Sequence, residues 1–373
     1  MTLTMKRIAL AAAAAAGISS AFAANVQIYG VIDQGMSISH REYADGSDST
    51  TAKMASGQYI GSRWGIKGTE DLGNGVKVGF DLEGGISSDS GSSGQSGRLF
   101  GRDSRLFLEG NFGLLSFGRT GSMMGGNGTY ARFGHIVSPF SCGWGDVGGT
   151  LQVVSLGYEY IDNVIAWSTP KFGGWDADFQ YSFGSDVNTY GDGTEGKSSV
   201  ERMYSASIRY EGAKLMAEFG VESINQAQPA ADENNLDDAF SYNLGGSYNA
   251  GWAKFYGYAQ YFHDYASAAK VTMFSIPSGV DGWGAIVGID IPAWGGTFKA
   301  SFGYGDFEGS HESEKTMKTY QTAVGYNYWF NRRNAVYIAA DWIKSDYSKA
   351  YTDAKPTATE DVYELVFGFM HKF

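Results

Sequence analysis

Side chains able to carry chemistry are few and scattered in this 373-residue chain. The histidines His40, His135, His263, His311 and His371 have no zinc-ligand spacing to one another or to cysteine. Cys142 is the only cysteine, so no internal disulfide can form, and nothing beside it in sequence marks an activated thiol. No Gly-x-Ser-x-Gly elbow occurs, and a Ser-His-acid triad cannot be read from scattered residues. The run Gly191 to Ser198 fits the phosphate-loop pattern, but a phosphate loop needs a helix directly after it. Here Tyr204, Ala206, Ile208 and Tyr210 alternate with Ser205, Ser207 and Arg209, which is strand patterning. Asp232, Glu233, Asp237 and Asp238 could offer oxygens to a divalent cation, though a solvated loop charge run needs no ion. These residues imply no enzyme and no cofactor.

What remains is charge placed by alternation. Arg63 and Lys67 fall on one face of an extended segment, and Trp64 and Ile66 on the other. Fixed charges on a polar face orient ions and dipoles without reacting with them. The elements that must hold such charges are strands. Trp175, Ala177, Phe179, Tyr181 and Phe183 alternate with Asp176, Asp178, Gln180 and Ser182, giving one aromatic and one polar face. Val76 to Glu83, Tyr320 to Phe330 and Val336 to Trp342 repeat the pattern, and Tyr363, Leu365, Phe367, Phe369 and Phe373 end the chain with it.

Connections alternate in length. Short turns read at Asp71 to Gly75, Gly110 to Gly113, Glu211-Gly212, Asn249 to Gly251, Pro292 to Gly296 and Asn331 to Asn334. Long polar connections read at His40 to Gly57, Ser87 to Gly101, Gly184 to Ser198, Glu222 to Asn235, Asp264 to Ser278, Asp306 to Thr316 and Ser345 to Thr359. Short turns at one end and long loops at the other mark an outer-membrane barrel. The fold expected is all-β: a transmembrane antiparallel β-barrel of about sixteen strands. Hydrocarbon forbids unpaired backbone polar groups, and a closed barrel pairs them all.

The N-terminus carries its own signal. Lys6 and Arg7 precede the apolar run Ile8 to Ala16, and Ala21-Phe22-Ala23 is a small-x-small cleavage site. This reads as a secretory signal peptide over residues 1–23, leaving a barrel domain over 24–373. Removing it leaves 26 basic and 40 acidic residues and moves the formal net charge from −12 to −14. That balance excludes nucleic acid as a partner.

Four stretches carry a family likeness: Val26 to Asp33, Ser62 to Gly73, Gly110 to Gly113 leading to Phe117-Gly118-Arg119, and Gly368 to Phe373. In this order, after a signal peptide, the chain resembles the trimeric sixteen-stranded general porins of Gram-negative outer membranes, in their betaproteobacterial branch. The resemblance implies passive diffusion of small hydrophilic solutes and ions, a homotrimer in outer-membrane lipid, and the terminal Phe373 as a signal to the barrel-assembly machinery. It implies a third loop folded into the lumen, here from Gly121 to about Gly149, and a pore constriction with Arg63 and Arg119 on the wall. Lys67 shares the face of Arg63. The loop acid expected after Pro139 is missing, and Asp146 is the best remaining one. A third wall arginine is replaced by Tyr160, with Glu159 beside it. With the net charge of −14 this predicts a preference for cations. Trp175, Tyr181, Tyr328, Trp329 and Trp342 are candidates for the interfacial girdle.

Two other classes stay open on the sequence: an adhesion or receptor barrel acting through its long surface loops, and a barrel enzyme. The first needs no open lumen, and the second needs one indispensable Ser, His or acid.

Overall fold

Sixteen strands follow one another in antiparallel order and close on themselves. The structure is a computed structural model and describes residues 25–373 except 137, 156–157, 192, 228–236, 266–273 and 275. The signal segment 1–23 and the acids Asp232 and Glu233 lie outside the described residues. The strands are β1 (Gln27–Tyr43), β2 (Asp48–Ser56 and, after an interruption, Arg63–Gly73), β3 (Val76–Ser87), β4 (Ser104–Gly110), β5 (Gly113–Gly121) and β6 (Tyr160–Ser168). Then come β7 (Trp175–Ser182), β8 (Arg202–Glu211), β9 (Leu215–Asn225), β10 (Ala239–Asn249) and β11 (Lys254–Tyr265). The last are β12 (Val280–Ala293), β13 (Gly296–Gly309), β14 (Thr316–Asn331), β15 (Asn334–Tyr347) and β16 (Thr359–Lys372). β1 pairs with β16 from Val31 opposite Lys372 to Tyr43 opposite Thr359, so the sheet has no free edge. At that seam Phe373 exchanges backbone hydrogen bonds with Gly30, N to O 3.1 Å and O from N 3.3 Å.

The alternation is inverted relative to a soluble sheet. On β7, Trp175 is 50% exposed while Asp178 on the opposite face is 1% exposed. Ile208, Leu244, Val287, Phe302, Val324 and Phe367 likewise lie exposed on the outside. Aliphatic and aromatic side chains turned outward suit hydrocarbon, and polar ones turned inward suit a lumen. Among the described residues no helix is long and apolar enough to cross a membrane; the crossing is made by strands.

Several boundaries differ from the sequence reading. The connection read as His40 to Gly57 is mostly strand: β1 runs to Tyr43 and β2 resumes at Asp48, with Ser39 bonded to Thr51 across the hairpin. The connection read as Asp306 to Thr316 shrinks to residues 310–315. A turn over residues 169–174 joins β6 to β7 where none was read. Polar composition misleads here because strands that overtop the membrane need no apolar face. Trp329 is not a girdle residue; it packs inside, 6.2 Å from Tyr59 between ring centroids, with Lys372 over its ring.

β2 is the irregular element that shapes the interior. Residues 57–62 leave the ladder between its two halves. Asp33 on β1 repairs the loss: its Oδ2 accepts from Tyr59 N (2.6 Å) and Ile60 N (2.8 Å), and its Oδ1 from the Tyr337 hydroxyl (2.7 Å). Freed from the wall, Tyr59 turns inward and meets Trp144 at 4.6 Å.

Candidate functional site

Residues 122–159, between β5 and β6, fold into the barrel and narrow it. The connection is longer than the sequence reading of Gly121 to Gly149. Met123, Met124, Phe133, Ile136, Val153 and Val154 pack on Tyr258 and Ile286 of the far wall, and Phe140, Trp144 and Val147 on Tyr337, Ala339 and Val366. Wall side chains bind its backbone: Gln180 Oε1 accepts from Met123 N (2.8 Å), Gln260 Oε1 from Ser155 N (2.8 Å) and Asp341 Oδ2 from Gly148 N (3.2 Å). Its tip reaches the gap in β2, where Gly145 N donates to Gln58 O at 2.6 Å. The loop is glycine-rich because its own turns stack tightly; a methyl on Gly126 would overlap the Cys142 sulfur.

Beside the loop lies a cavity of about 720 Å³, the candidate passage. Its charged lining is Arg63, Arg102 and Lys299 together with Glu83, Asp103 and Glu159. Glu83 lies between two guanidinium groups, 2.5 Å from Arg102 Nε and 3.8 Å from Arg63 Nε, and takes a third bond from the Tyr29 hydroxyl at 3.0 Å. Lys299 Nζ is held by Asp290 Oδ1 at 2.9 Å. Asp103 accepts from Thr129 N (2.9 Å), Thr129 Oγ1 (2.7 Å) and Gly121 N (3.2 Å). Burial pushes the Asp103 carboxyl above its ordinary value, against the pull of the Thr129 donor and of Arg105. Burial also pushes the Cys142 thiol up to about 11, which leaves it almost wholly protonated near neutrality.

Of the four site residues read from the sequence, only Arg63 lines this passage. Arg119 lies apart from the lining, where its Nη1 binds Asp162 Oδ1 at 2.6 Å and its Nε donates to Gly101 O at 2.9 Å. Arg98 shares Asp162 at 2.8 Å and adds Asp186 at 2.7 Å. Lys67 is exposed over the Tyr29 ring, 4.9 Å from its centroid, nearer the short-turn end. Asp146 turns away from the passage; its side chain is 55% exposed and lies 3.4 Å from Arg41 Nη2. Tyr160, in place of the third wall arginine, has the guanidinium groups of Arg102 and Arg119 at 5.2 and 5.6 Å from its ring.

Arg102, Glu83 and Lys299 were missed. Glu83 and Lys299 carried a usable signal, each being a charged residue on the polar face of an alternating strand. Arg102 carried none, since it sits at the end of an irregular connection. The phosphate-loop-like run lies in the connection 183–201 and is followed by β8, not by a helix. Asp238 accepts from Asn225 and Gln226, so part of the acidic cluster serves the end of β9.

A closed barrel with a loop folded across its lumen has known counterparts. A Gram-negative porin family matches residues 9–348. The chain belongs to that family. This porin is 28% identical over 405 aligned residues to an outer membrane porin protein of Bordetella pertussis, covering 99% of this chain and 100% of the relative. An anion-selective porin from Comamonas acidovorans has the same fold, with a TM-score of 0.69 over 94% of this chain and 100% of its own at 23% identity. A trimer form of an outer membrane protein of Vibrio cholerae, OmpT, matches at a TM-score of 0.61 and 15% identity, over 94% of this chain and 100% of its own. These two likenesses concern the fold alone. Family and fold together place the porin in the outer membrane of a Gram-negative cell, where it acts as a general porin.

Proposed function

We propose that this porin is a passive, weakly cation-preferring channel for small hydrophilic solutes and ions, constricted where residues 122–159 cross the lumen. The observation that carries the reading is the charged lining of the remaining passage. Arg63 and Arg102 share one carboxylate, Glu83, and Lys299 is matched by Asp290. The lining holds as many acids (Glu83, Asp103 and Glu159) as cations, so the cation preference rests on the acidic balance of the chain as a whole. Fixed charges of both signs in a water-filled constriction set a local field that favours water and dipolar solutes over apolar ones. Arg63 belongs to the constriction in this reading, with Arg102 and Glu83. Arg119 and Lys67 act on ions approaching it, and Asp146 acts through Arg41. No chemical step is involved, and no cofactor.

The Comamonas porin is described as anion-selective, which makes the sign of selectivity the point to measure. Purified protein in a planar bilayer under a KCl gradient is expected to give a reversal potential of the sign set by K⁺ flow. A chloride-signed potential would remove the cation preference and leave the channel. The working unit in this reading is a homotrimer in outer-membrane lipid, delivered by the barrel-assembly machinery with Phe373 at the recognised end. An unheated gel of detergent-extracted protein is expected to show a species of three chains that heating converts to one. Migration only as a monomer would contradict it.

A further inference from the structure

We infer that His263, Asp264 and Asp281 form a binding site for one divalent cation of the zinc type on the outer rim of the barrel. β11 and β12 stay in register until Phe262 faces Gly282, and pairing resumes with Tyr265 facing Val280. Two residues, His263 and Asp264, therefore oppose the single residue Asp281. A bulge of this kind re-aims neighbouring side chains, and here Asp264 takes a φ of +54°. The result is a convergent corner. His263 Nε2 lies 2.9 Å from Asp264 Oδ2, and His263 Nδ1 lies 2.8 Å from Asp281 Oδ1. Each residue offers one ligand atom, and all three lie within 4.8 Å of one another.

The corner is held from outside. Asp281 Oδ1 accepts from Asp264 N (2.9 Å) and from Ser310 Oγ (2.5 Å), which comes from the connection after β13. Gln226 Nε2 donates to the Asp264 carbonyl at 2.8 Å. Zinc bonds to nitrogen and oxygen of about 2.0–2.2 Å separate ligand atoms by roughly 3–4 Å. The three ligand atoms, all within 4.8 Å of one another, stand near that spacing; one imidazole nitrogen would bind the ion and give up its carboxylate contact.

Ligand chemistry supplies the second argument. Two carboxylates, Asp264 and Asp281, converge on the one imidazole of His263. An imidazole nitrogen with two carboxylate oxygens suits first-row divalent ions, whereas calcium and magnesium favour all-oxygen sets. The His263 side chain is 46% exposed, so further coordination positions open to the outside. Just inward on the same face Tyr261 pairs with Trp283, and Trp283, Tyr304 and Tyr320 follow in contact at 5.2 Å intervals. An aromatic row of this kind marks the lipid interface, which sets the ion at headgroup level, away from the lumen.

The test is isothermal titration of zinc chloride into metal-stripped, detergent-folded full-length protein and three variants. One zinc per chain is expected for the unaltered protein. His263→Ala and Asp281→Asn should weaken that binding at least about tenfold, and His40→Ala, at a histidine on β1, should leave it unchanged. Single-channel conductance should be the same in all four, which also shows that they fold; His263→Gln replaces His263→Ala if the latter does not. Absence of zinc binding by the unaltered protein, or equal binding by the His263 variant, would overturn the site.

Discussion

Glu83 is the residue on which the passage turns. It stabilises two guanidinium groups at once, so removing Arg102 leaves it only Arg63 at 3.8 Å and the Tyr29 hydroxyl. Arg102→Ala should make the channel more cation-preferring. A unit charge at about 4 Å in water is worth about 1 kcal/mol, so the K⁺ to Cl⁻ permeability ratio should rise by up to about fivefold. Arg119→Ala should move it less, because Arg119 is neutralised by Asp162 away from the lining. Reversal potentials of the two variants check this, and an equal or larger shift for Arg119→Ala would count against the assignment. Arg63 was legible because a strand fixes which way its side chain points. Asp146 was not, because a loop has no such period: the tip turns at Gly145 and Gly148, both at positive φ, and carries the carboxylate toward Arg41.

Among elements, the interrupted β2 matters most. A regular strand would keep Tyr59 in the wall, and the loop tip would lose its aromatic partner and the Gln58 carbonyl. The interruption persists because Asp33 accepts the two N–H groups that the ladder gives up. Asp33→Ala should leave those donors and the Tyr337 hydroxyl unpaired and cost about 2–4 kcal/mol. The temperature at which the folded barrel becomes denaturable in detergent should fall, and open-channel noise should rise as the loop tip loosens. An unchanged transition temperature would show that water or a rearranged loop satisfies these groups. Asp33 falls within the stretch Val26 to Asp33 that carries the family likeness. Its role stayed hidden, since nothing in residues 57–62 alone announces a gap that only a neighbouring strand can fill.

At the scale of the molecule, one physical rule accounts for most of what was readable. Hydrocarbon outside and water inside impose a period of two on every strand, so strand number, sidedness and the outward apolar faces follow from pattern. The interior does not follow from pattern. Residues 122–159 are packed by contacts with β9 to β16, far away in sequence, and the passage is whatever those contacts leave open. The central claim is therefore that the barrel remains open to ions beside this loop. Single-channel recording in a planar lipid bilayer tests it most directly. The account predicts stepwise, ohmic openings in KCl; protein shown to be folded and inserted that passes no current would contradict it.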